Sequence, residues 1–331
     1  MSTNRTTALI LAHLGLAAAC HGADGSAVVS APIASAAPSS SAAASASGSA
    51  SPVASASASA LPTSKGKPAP ATGAGTLGKP CGAGDSCAPG LYCQRNFNGA
   101  SFSPGGTCIE HPPVYEGRPL VVDGAPRRAP AVGGPWSSAR PELAVGVDVG
   151  LAAEIARGAF EEHASVAAFA RTLCELVALG APEPLVHQTH AALGDEIRHA
   201  REAFDLASAL GGAPIGPGPL PEAVAPLRAG PALARDLLVD VLRGGCVGEA
   251  LAAARAAARA EDPTLPAAVR AFYTKIAGDE ARHAALAFET ARFLVDREPP
   301  LAEVVAEVFA ELGPDARALV GDVFARVFDL G

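Results

Sequence analysis

Apolar residues recur every three or four positions in the second half of the chain, which is the spacing of one face of an amphipathic helix. The pattern predicts four helices, over about 149–179, 182–211, 231–260 and 266–296. Gly180 and Gly211 stand where the first two patterns stop, and glycine is the favoured residue just past a helix end. Residues 299–331 predict two short helices broken at Gly313 and Pro314.

The connections between these helices favour one topology. Short connections join the first helix to the second and the third to the fourth, so each pair is expected to form an antiparallel hairpin. The Pro/Gly-rich stretch 212–230 reaches roughly 60 Å when extended, and a helix of about 28 residues is roughly 42 Å long. The sequence therefore predicts an all-α fold, a four-helix bundle with one long crossover over 148–298.

Each predicted helix carries a carboxylate on its apolar face. Two of the helices also repeat one pattern, Asp-Glu-x-Arg-His-Ala, at 195–200 and at 279–284. In each copy the Glu and the His lie three positions apart and share one face of the helix. The inward-facing donors are Glu162, Glu196, His199, Glu249, Glu280 and His283.

Four carboxylates in one apolar core need compensation, because each buried charge costs several kcal/mol when it is unpaired. Protonation relieves that cost, and so do cations. Two divalent ions neutralise four carboxylates, and oxygen and imidazole ligands suit iron or manganese. We therefore expect a dinuclear site that holds two Fe or Mn ions.

One Glu from each of two helices, with Glu-x-x-His from each of the other two, resembles the ferritin-like superfamily over about 149–296. The resemblance implies that Glu196 and Glu280 bridge the metals and that Glu162 and Glu249 are terminal ligands. His199 and His283 would each complete the ligand set of one metal.

The Asp-Glu-x-Arg-His form is similar to that of oxygen-activating members, such as bacterial multicomponent monooxygenases and acyl-carrier-protein desaturases. That similarity implies that the flanking residues support the histidines from behind; they are Asp195, Arg198, Asp279 and Arg282. The alternative is exposed ion pairs worth a few tenths of a kcal/mol. Phe169 stands where several ferritin-like families have Tyr, and the C-x-x-C pairs of rubrerythrins are missing.

Glycines interrupt the third predicted helix at Gly244, Gly245 and Gly248. Each costs roughly 1 kcal/mol relative to Ala. Two explanations are open: a close approach between helices, or a π-bulge that widens the turn. Cys246 lies in the same stretch and is expected, like Cys174 in the first helix, to be buried and unreactive; a bridge between the two or a redox role is the alternative.

Other polar residues of the helices are predicted to lie outside the site. Glu161 falls in line with Glu154 and Glu175, which predicts a solvated stripe. Three histidines are interpreted as non-ligands because they lie off the inner faces: His163, His187 and His190.

The N-terminal part of the chain resembles an exported lipoprotein. Residues 1–19 have the form of a lipoprotein signal peptide that would leave Cys20 lipidated as a membrane anchor, with an ordinary secretory signal as the alternative. Residues 20–80 are rich in Ala, Ser and Pro and predict a disordered tether.

Four cysteines cluster in residues 81–111, and in an exported segment this short they indicate two disulfides of open pairing. They are Cys81, Cys87, Cys93 and Cys108. A zinc site is disfavoured because no C-x-x-C pair is present. The Pro/Gly-rich residues 112–147 form a lead-in whose Trp136 is expected to pack on the helices.

The net charge of −8 argues against a nucleic-acid partner, since no basic stripe is present to neutralise phosphates. The sequence thus favours a membrane-anchored, dinuclear Fe or Mn protein of the bacterial cell envelope that reacts with dioxygen or peroxide as an oxidase, peroxidase or ferroxidase. The alternatives are a metal-binding or iron-handling lipoprotein without catalysis, and a helical bundle without metal.

Overall fold

A computed structural model describes residues 2–15, 79–80, 88, 92–97, 102–109, 117–122, 125–133, 136, 146–224 and 226–329. Cys20, Cys81, Cys87 and nearly all of the predicted tether lie outside these ranges. The lipidation of Cys20 and the disorder of the tether therefore stay predictions.

The described chain is predominantly helical, and the predicted helices of the second half are confirmed close to their expected ends. The helices are α1 (Ser2–His13), α2 (Val149–Ala178), α3 (Glu183–Gly211), α4 (Leu233–Asp240), α5 (Ala250–Glu261), α6 (Ala267–Arg297), α7 (Ala302–Glu311) and α8 (Pro314–Phe328). A π-helical segment, Val241–Glu249, joins α4 to α5, so these three form the third predicted helix. Short 3₁₀ turns cover Pro221–Val224 and Pro299–Leu301.

Local chemistry explains where the helices begin and end. The Asp148 side chain accepts a hydrogen bond from the Leu151 amide at 2.9 Å and caps the start of α2. Gly180 after α2 and Gly212 after α3 have positive φ angles of 69° and 70°, a conformation that glycine adopts at little cost. α8 begins at Pro314, which has no amide proton to lose in a first turn.

The helices pack in the pairs that the connections predict. α2 lies along α3, α6 lies along α5 and the π-helical segment, and contacts between α3 and α6 join the two pairs. Phe160 of α2 meets Phe204 of α3 edge to face at 5.1 Å, and both are buried. Each such ring contributes roughly 1.5–3 kcal/mol through its burial.

Shorter helices pack against α4, α5 and α6. Phe288 of α6 packs edge to face on Phe324 of α8 at 5.1 Å. α1 also packs on α5, α6 and α8, with Ile10 buried and Thr7 donating to the Leu319 carbonyl at 2.7 Å. Helix α1 falls within the predicted signal peptide, which stays a prediction. Among the described helices, none combines the length and apolar character that crossing a membrane requires.

Short antiparallel strand pairs precede and flank the helices. β1 (Tyr92–Phe97) pairs with β2 (Phe102–Ile109), β3 (Val121–Val122) with β4 (Ala125–Pro126), and β5 (Ala131–Val132) with β6 (Gly216–Pro217). Cys108 on β2 is buried and disulfide-bonded, and Cys93 lies opposite it on β1. The predicted set of two disulfides also needs residues beyond the described ranges and is not tested.

The last strand pair joins the lead-in to the crossover between α3 and α4. Gly218 also donates its amide proton to the Pro130 carbonyl at 2.7 Å. Trp136 packs against the helical core, as expected, and its ring meets that of His163 edge to face at 4.9 Å. The lead-in is thus held against the helices.

Candidate metal centre

The six predicted donors converge, in two groups that could each hold a metal ion. The ligand atoms within each group all lie within 4.8 Å of one another. One group is Glu162, Glu196, His199 and Glu280, and the other is Glu249, Glu280 and His283. Glu280 belongs to both groups, so the two candidate sites are adjacent.

Helix periodicity and packing together produce this convergence. In α3 and in α6 the Glu and the His lie one turn apart on the same face. The partners from α2 and from the end of the π-helical segment reach the same point because those segments pack against α3 and α6. Five of the six side chains are at most 2% exposed, and the Glu162 side chain is 22% exposed. The cluster therefore opens toward solvent on the Glu162 side.

Each histidine is held from behind by an aspartate. His199 Nε2 lies 3.0 Å from Asp279 Oδ2, and His283 Nε2 lies 3.3 Å from Asp195 Oδ2. A carboxylate at this position fixes the proton on Nε2 and leaves the Nδ1 lone pair for a metal. The Nδ1 atoms do face the carboxylates, since His199 Nδ1 lies 3.3 Å from Glu280 Oε1.

The support is crossed between the two sequence repeats. The aspartate of the repeat in α3 supports the histidine of α6, and the aspartate of α6 supports the histidine of α3. Within one helix Asp and His are four positions apart in sequence, but here each contact spans the interface between α3 and α6. The aspartates therefore align the two repeats on each other.

Two arginines complete this supporting network. Arg198 lies 2.7 Å from Asp195 and 2.6 Å from Asp279, and Arg282 lies 2.6 Å from Asp279 and 3.2 Å from Asp195. Burial alone would raise the pKa of Asp195, but hydrogen bonds from His283 and Arg198 outweigh it and lower that pKa to about 2. The alternative of isolated exposed pairs does not describe this network, because the pairs also link the two helices.

The inward-facing carboxylate and imidazole atoms lack hydrogen-bond partners among the described residues, which is rare for buried polar groups. The buried atoms without a hydrogen-bond partner include Glu196 Oε1, His199 Nδ1, Glu249 Oε1, Glu280 Oε1 and His283 Nδ1. Burial also raises the pKa of Glu162 and of Glu249 well above the ordinary value. Cations bound among these atoms would be coordinated by them and would remove the cost of the buried charge.

The glycine-rich part of the third helix realises both explanations at once. Val241–Glu249 is π-helical, and a Cβ atom at Gly245 would lie 2.5 Å from the Cβ atom of Ala287 in α6. The segment therefore has a widened turn and a close helix approach together, and it ends at the ligand candidate Glu249.

Arg118 is the site residue that sequence reasoning missed. It lies in the lead-in, its side chain is 7% exposed, and its Nε is 3.8 Å from Glu249 Oε1. Nothing in the pattern around Arg118 indicates burial. Gly245 in the third helix is an indirect sign that a side chain packs there, because a Cβ atom at Gly245 would also lie 2.5 Å from Arg118 Nη2.

Several predictions about the surrounding residues need correction. Cys174 is exposed, whereas Cys246 is buried as predicted, and both are free, so they form no bridge. Glu175 is not solvated: it is buried and forms a double ion pair with Arg228 of the crossover at 2.8 and 2.6 Å. A helical stripe does not reveal that a distant loop covers one of its positions.

The remaining polar residues that were predicted to lie outside the site do lie outside the two donor groups. Glu161 pairs with Arg128 of the lead-in and is only partly exposed. His187 and His190 are exposed, as predicted, and His163 packs on Trp136 and belongs to neither candidate group.

No protein-family model, no curated protein and no solved structure matches the chain. The geometry of this cluster is therefore the basis on which a function can be assigned.

Proposed function

We propose that residues 148–298 form a ferritin-like four-helix bundle that holds two iron or manganese ions and reacts with dioxygen or peroxide. The observation that carries the proposal is the pair of adjacent carboxylate and imidazole groups, each with its ligand atoms within 4.8 Å of one another, in which five of the six side chains have a buried atom without a hydrogen-bond partner among the described residues. Four carboxylates and two imidazoles match two divalent ions in charge and in ligand preference.

The distances support a role for each ligand. Glu280 belongs to both groups, which supports a bridging position. Glu196 belongs to the His199 group alone, but its Oε1 lies 4.0 Å from His199 Nδ1 and 3.0 Å from His283 Nδ1 of the other group, which supports a second bridge. Glu162 and Glu249 each belong to one group, as terminal ligands would.

A pair of redox-active ions would supply the electrons that dioxygen or peroxide accepts. The chain's own residues hold and orient that pair. Asp195 and Asp279 keep the histidine protons on Nε2, and the apolar packing around the cluster excludes bulk water. The exposed edge of Glu162 provides a route by which small molecules and ions reach the site.

The cellular setting is part of the proposal. The sequence favours a lipoprotein anchored through Cys20 in the bacterial envelope. NAD(P)H is absent outside the cytoplasm, which disfavours a hydroxylase with a reductase partner. We therefore favour oxidase, peroxidase or ferroxidase activity.

Elemental analysis and an optical spectrum of the iron- or manganese-loaded protein test the metal site. We expect about two equivalents of metal per chain, and fewer than one in Glu196→Ala and Glu280→Ala. Glu183→Ala, at an exposed position at the start of α3, is the matched control and should load like the unmodified protein. No metal in the unmodified protein, or full loading of both ligand variants, would contradict the proposal.

A second experiment separates enzyme from iron-handling protein. The reduced, iron-loaded protein is mixed with excess dioxygen or hydrogen peroxide in the presence of a reductant. Continued consumption over many equivalents indicates catalysis. A single oxidation of the bound iron would support the alternative of a non-catalytic, iron-handling lipoprotein.

A further inference from the structure

A buried guanidinium adjoins the metal ligands without using its hydrogen-bonding capacity. Arg118 is 6% exposed, and within the described part of the chain neither its Nε nor its Nη2 has a hydrogen-bond partner. It faces Glu249, with Nε 3.8 Å from Oε1, which is beyond hydrogen-bond distance. Unpaired N–H groups of a buried cation destabilise the folded protein, so a binding partner for them is expected.

The surroundings hold Arg118 in this position through several contacts. The preceding Gly117, at φ 66°, donates its amide proton to the Gly248 carbonyl of the π-helical segment at 3.0 Å. Ser165 of α2 donates to the Arg118 carbonyl at 2.8 Å. The guanidinium carbon lies 4.3 Å from the centre of the Phe169 ring, a cation–π contact.

The π-helical segment makes the room that the guanidinium occupies. The missing side chain of Gly245 leaves space for Arg118 Nη2, because a Cβ atom there would be 2.5 Å away. The backbone, the ring and the glycine thus form a fitted site around a cation beside Glu249.

The charges of the loaded centre leave Arg118 unbalanced. Four ionised glutamates cancel two divalent ions, and the two aspartates of the supporting network are paired with its two arginines. Neutral histidines add nothing. One buried positive charge, on Arg118, is left over, and a single unpaired buried charge is strongly unfavourable.

We propose that Arg118 makes the centre a binding site for a small monoanion, such as a carboxylate, held by its Nε and Nη2 beside Glu249. This inference rests on the proposed metal site, since without metal ions Glu249 itself balances the arginine. A guanidinium recognises a carboxylate through two parallel N–H donors, which matches the two unpartnered nitrogens. The substrate or ligand class that the centre accepts is accordingly anionic and small.

Titration of the iron-loaded full chain with azide, followed by optical spectroscopy, tests this assignment, with formate as a competing carboxylate. The variants are Arg118→Gln, which removes the charge, and Arg118→Lys, which keeps it. Arg171→Gln is the matched control, because Arg171 donates to the Val121 carbonyl at 3.1 Å and anchors the same lead-in without belonging to either donor group.

We expect Arg118→Gln to weaken azide and formate binding by about ten- to a hundred-fold, the loss of a charge-assisted contact. Arg118→Lys should retain part of the affinity, and Arg171→Gln nearly all of it. Iron content is measured on every sample, and Arg118→Gln should still bind two equivalents.

Equal azide affinity in Arg118→Gln and the unmodified protein would overturn the assignment. So would loss of iron from Arg118→Gln with unchanged azide affinity per bound iron, since that result describes a structural residue. If Arg118→Gln does not fold, the Arg118→Lys variant is used in its place. Formate and azide affinities of Arg118→Lys that both stay within two-fold of the unmodified protein would then refute the assignment. Absence of iron in the unmodified protein would instead refute the metal site and this inference with it.

Discussion

Replacing Gly245 by Ala tests whether the close approach at the π-helical segment exists. The added Cβ atom would lie 2.5 Å from the Cβ atom of Ala287 and 2.5 Å from Arg118 Nη2. The arginine tip can move, but the Ala287 Cβ atom moves only with the backbone of α6. Overpacking of this kind costs about 1–3 kcal/mol, against a gain of about 1 kcal/mol from the higher helix propensity of Ala.

Gly244→Ala is the matched control because it lies in the same segment. A Cβ atom there would have ordinary contacts, the nearest being Pro119 Cδ at 3.6 Å. The propensity gain is common to both variants, so their difference isolates the clash. We expect Gly245→Ala to be less stable than Gly244→Ala by about 1–3 kcal/mol.

Urea denaturation followed by circular dichroism measures both free energies of unfolding, and thermal melting should shift by about 2–4 °C per kcal/mol for a domain of this size. Equal stability of Gly245→Ala and Gly244→Ala would refute the close approach at Gly245. That result would mean that α6 and the π-helical segment are not in contact at this level.

Three further changes test other parts of the structure. Asp279→Asn removes the negative charge that faces His199 Nε2, and iron affinity, measured by chelator competition, should fall about 10–100-fold; unchanged affinity would show that the charge does not support the ligand. Arg228→Met leaves Glu175 buried without its partner, and urea denaturation should show a loss of about 3 kcal/mol; a loss below about 1 kcal/mol would show that water reaches Glu175. Gly194→Ala adds a methyl group in open space on α3 and should raise the free energy of unfolding by up to about 1 kcal/mol, a result that any destabilisation would contradict.

Local periodicity determines much of this protein from its sequence. The inner line of α3, which includes Leu185, Glu196, His199 and Leu210, is buried as the spacing predicts. A helix repeats every 3.6 residues whatever surrounds it, so the residues that share a face follow from the sequence alone. The pairing of Glu with His in each repeat therefore follows from their spacing along the chain.

Contacts between distant segments are decided only by the tertiary structure. The sequence places Asp195 beside Arg198 but does not show that Asp195 supports His283, which lies across the interface with α6. The crossover that buries Glu175 is likewise invisible in the pattern of α2. Each of these contacts depends on the rotation and offset of one helix against another, which many packed side chains set together.

Arg118 shows this limit most clearly. Its neighbours in sequence are those of an irregular Pro/Gly-rich segment, and a single arginine there predicts an exposed side chain. Its burial follows from the room at Gly245 and the carbonyl of Gly248, which lie more than a hundred positions away. The sequence alone determined the helices and the donors on their faces, because those depend on neighbouring residues. Only the tertiary structure decided which charges meet at the centre, because that depends on how the segments pack.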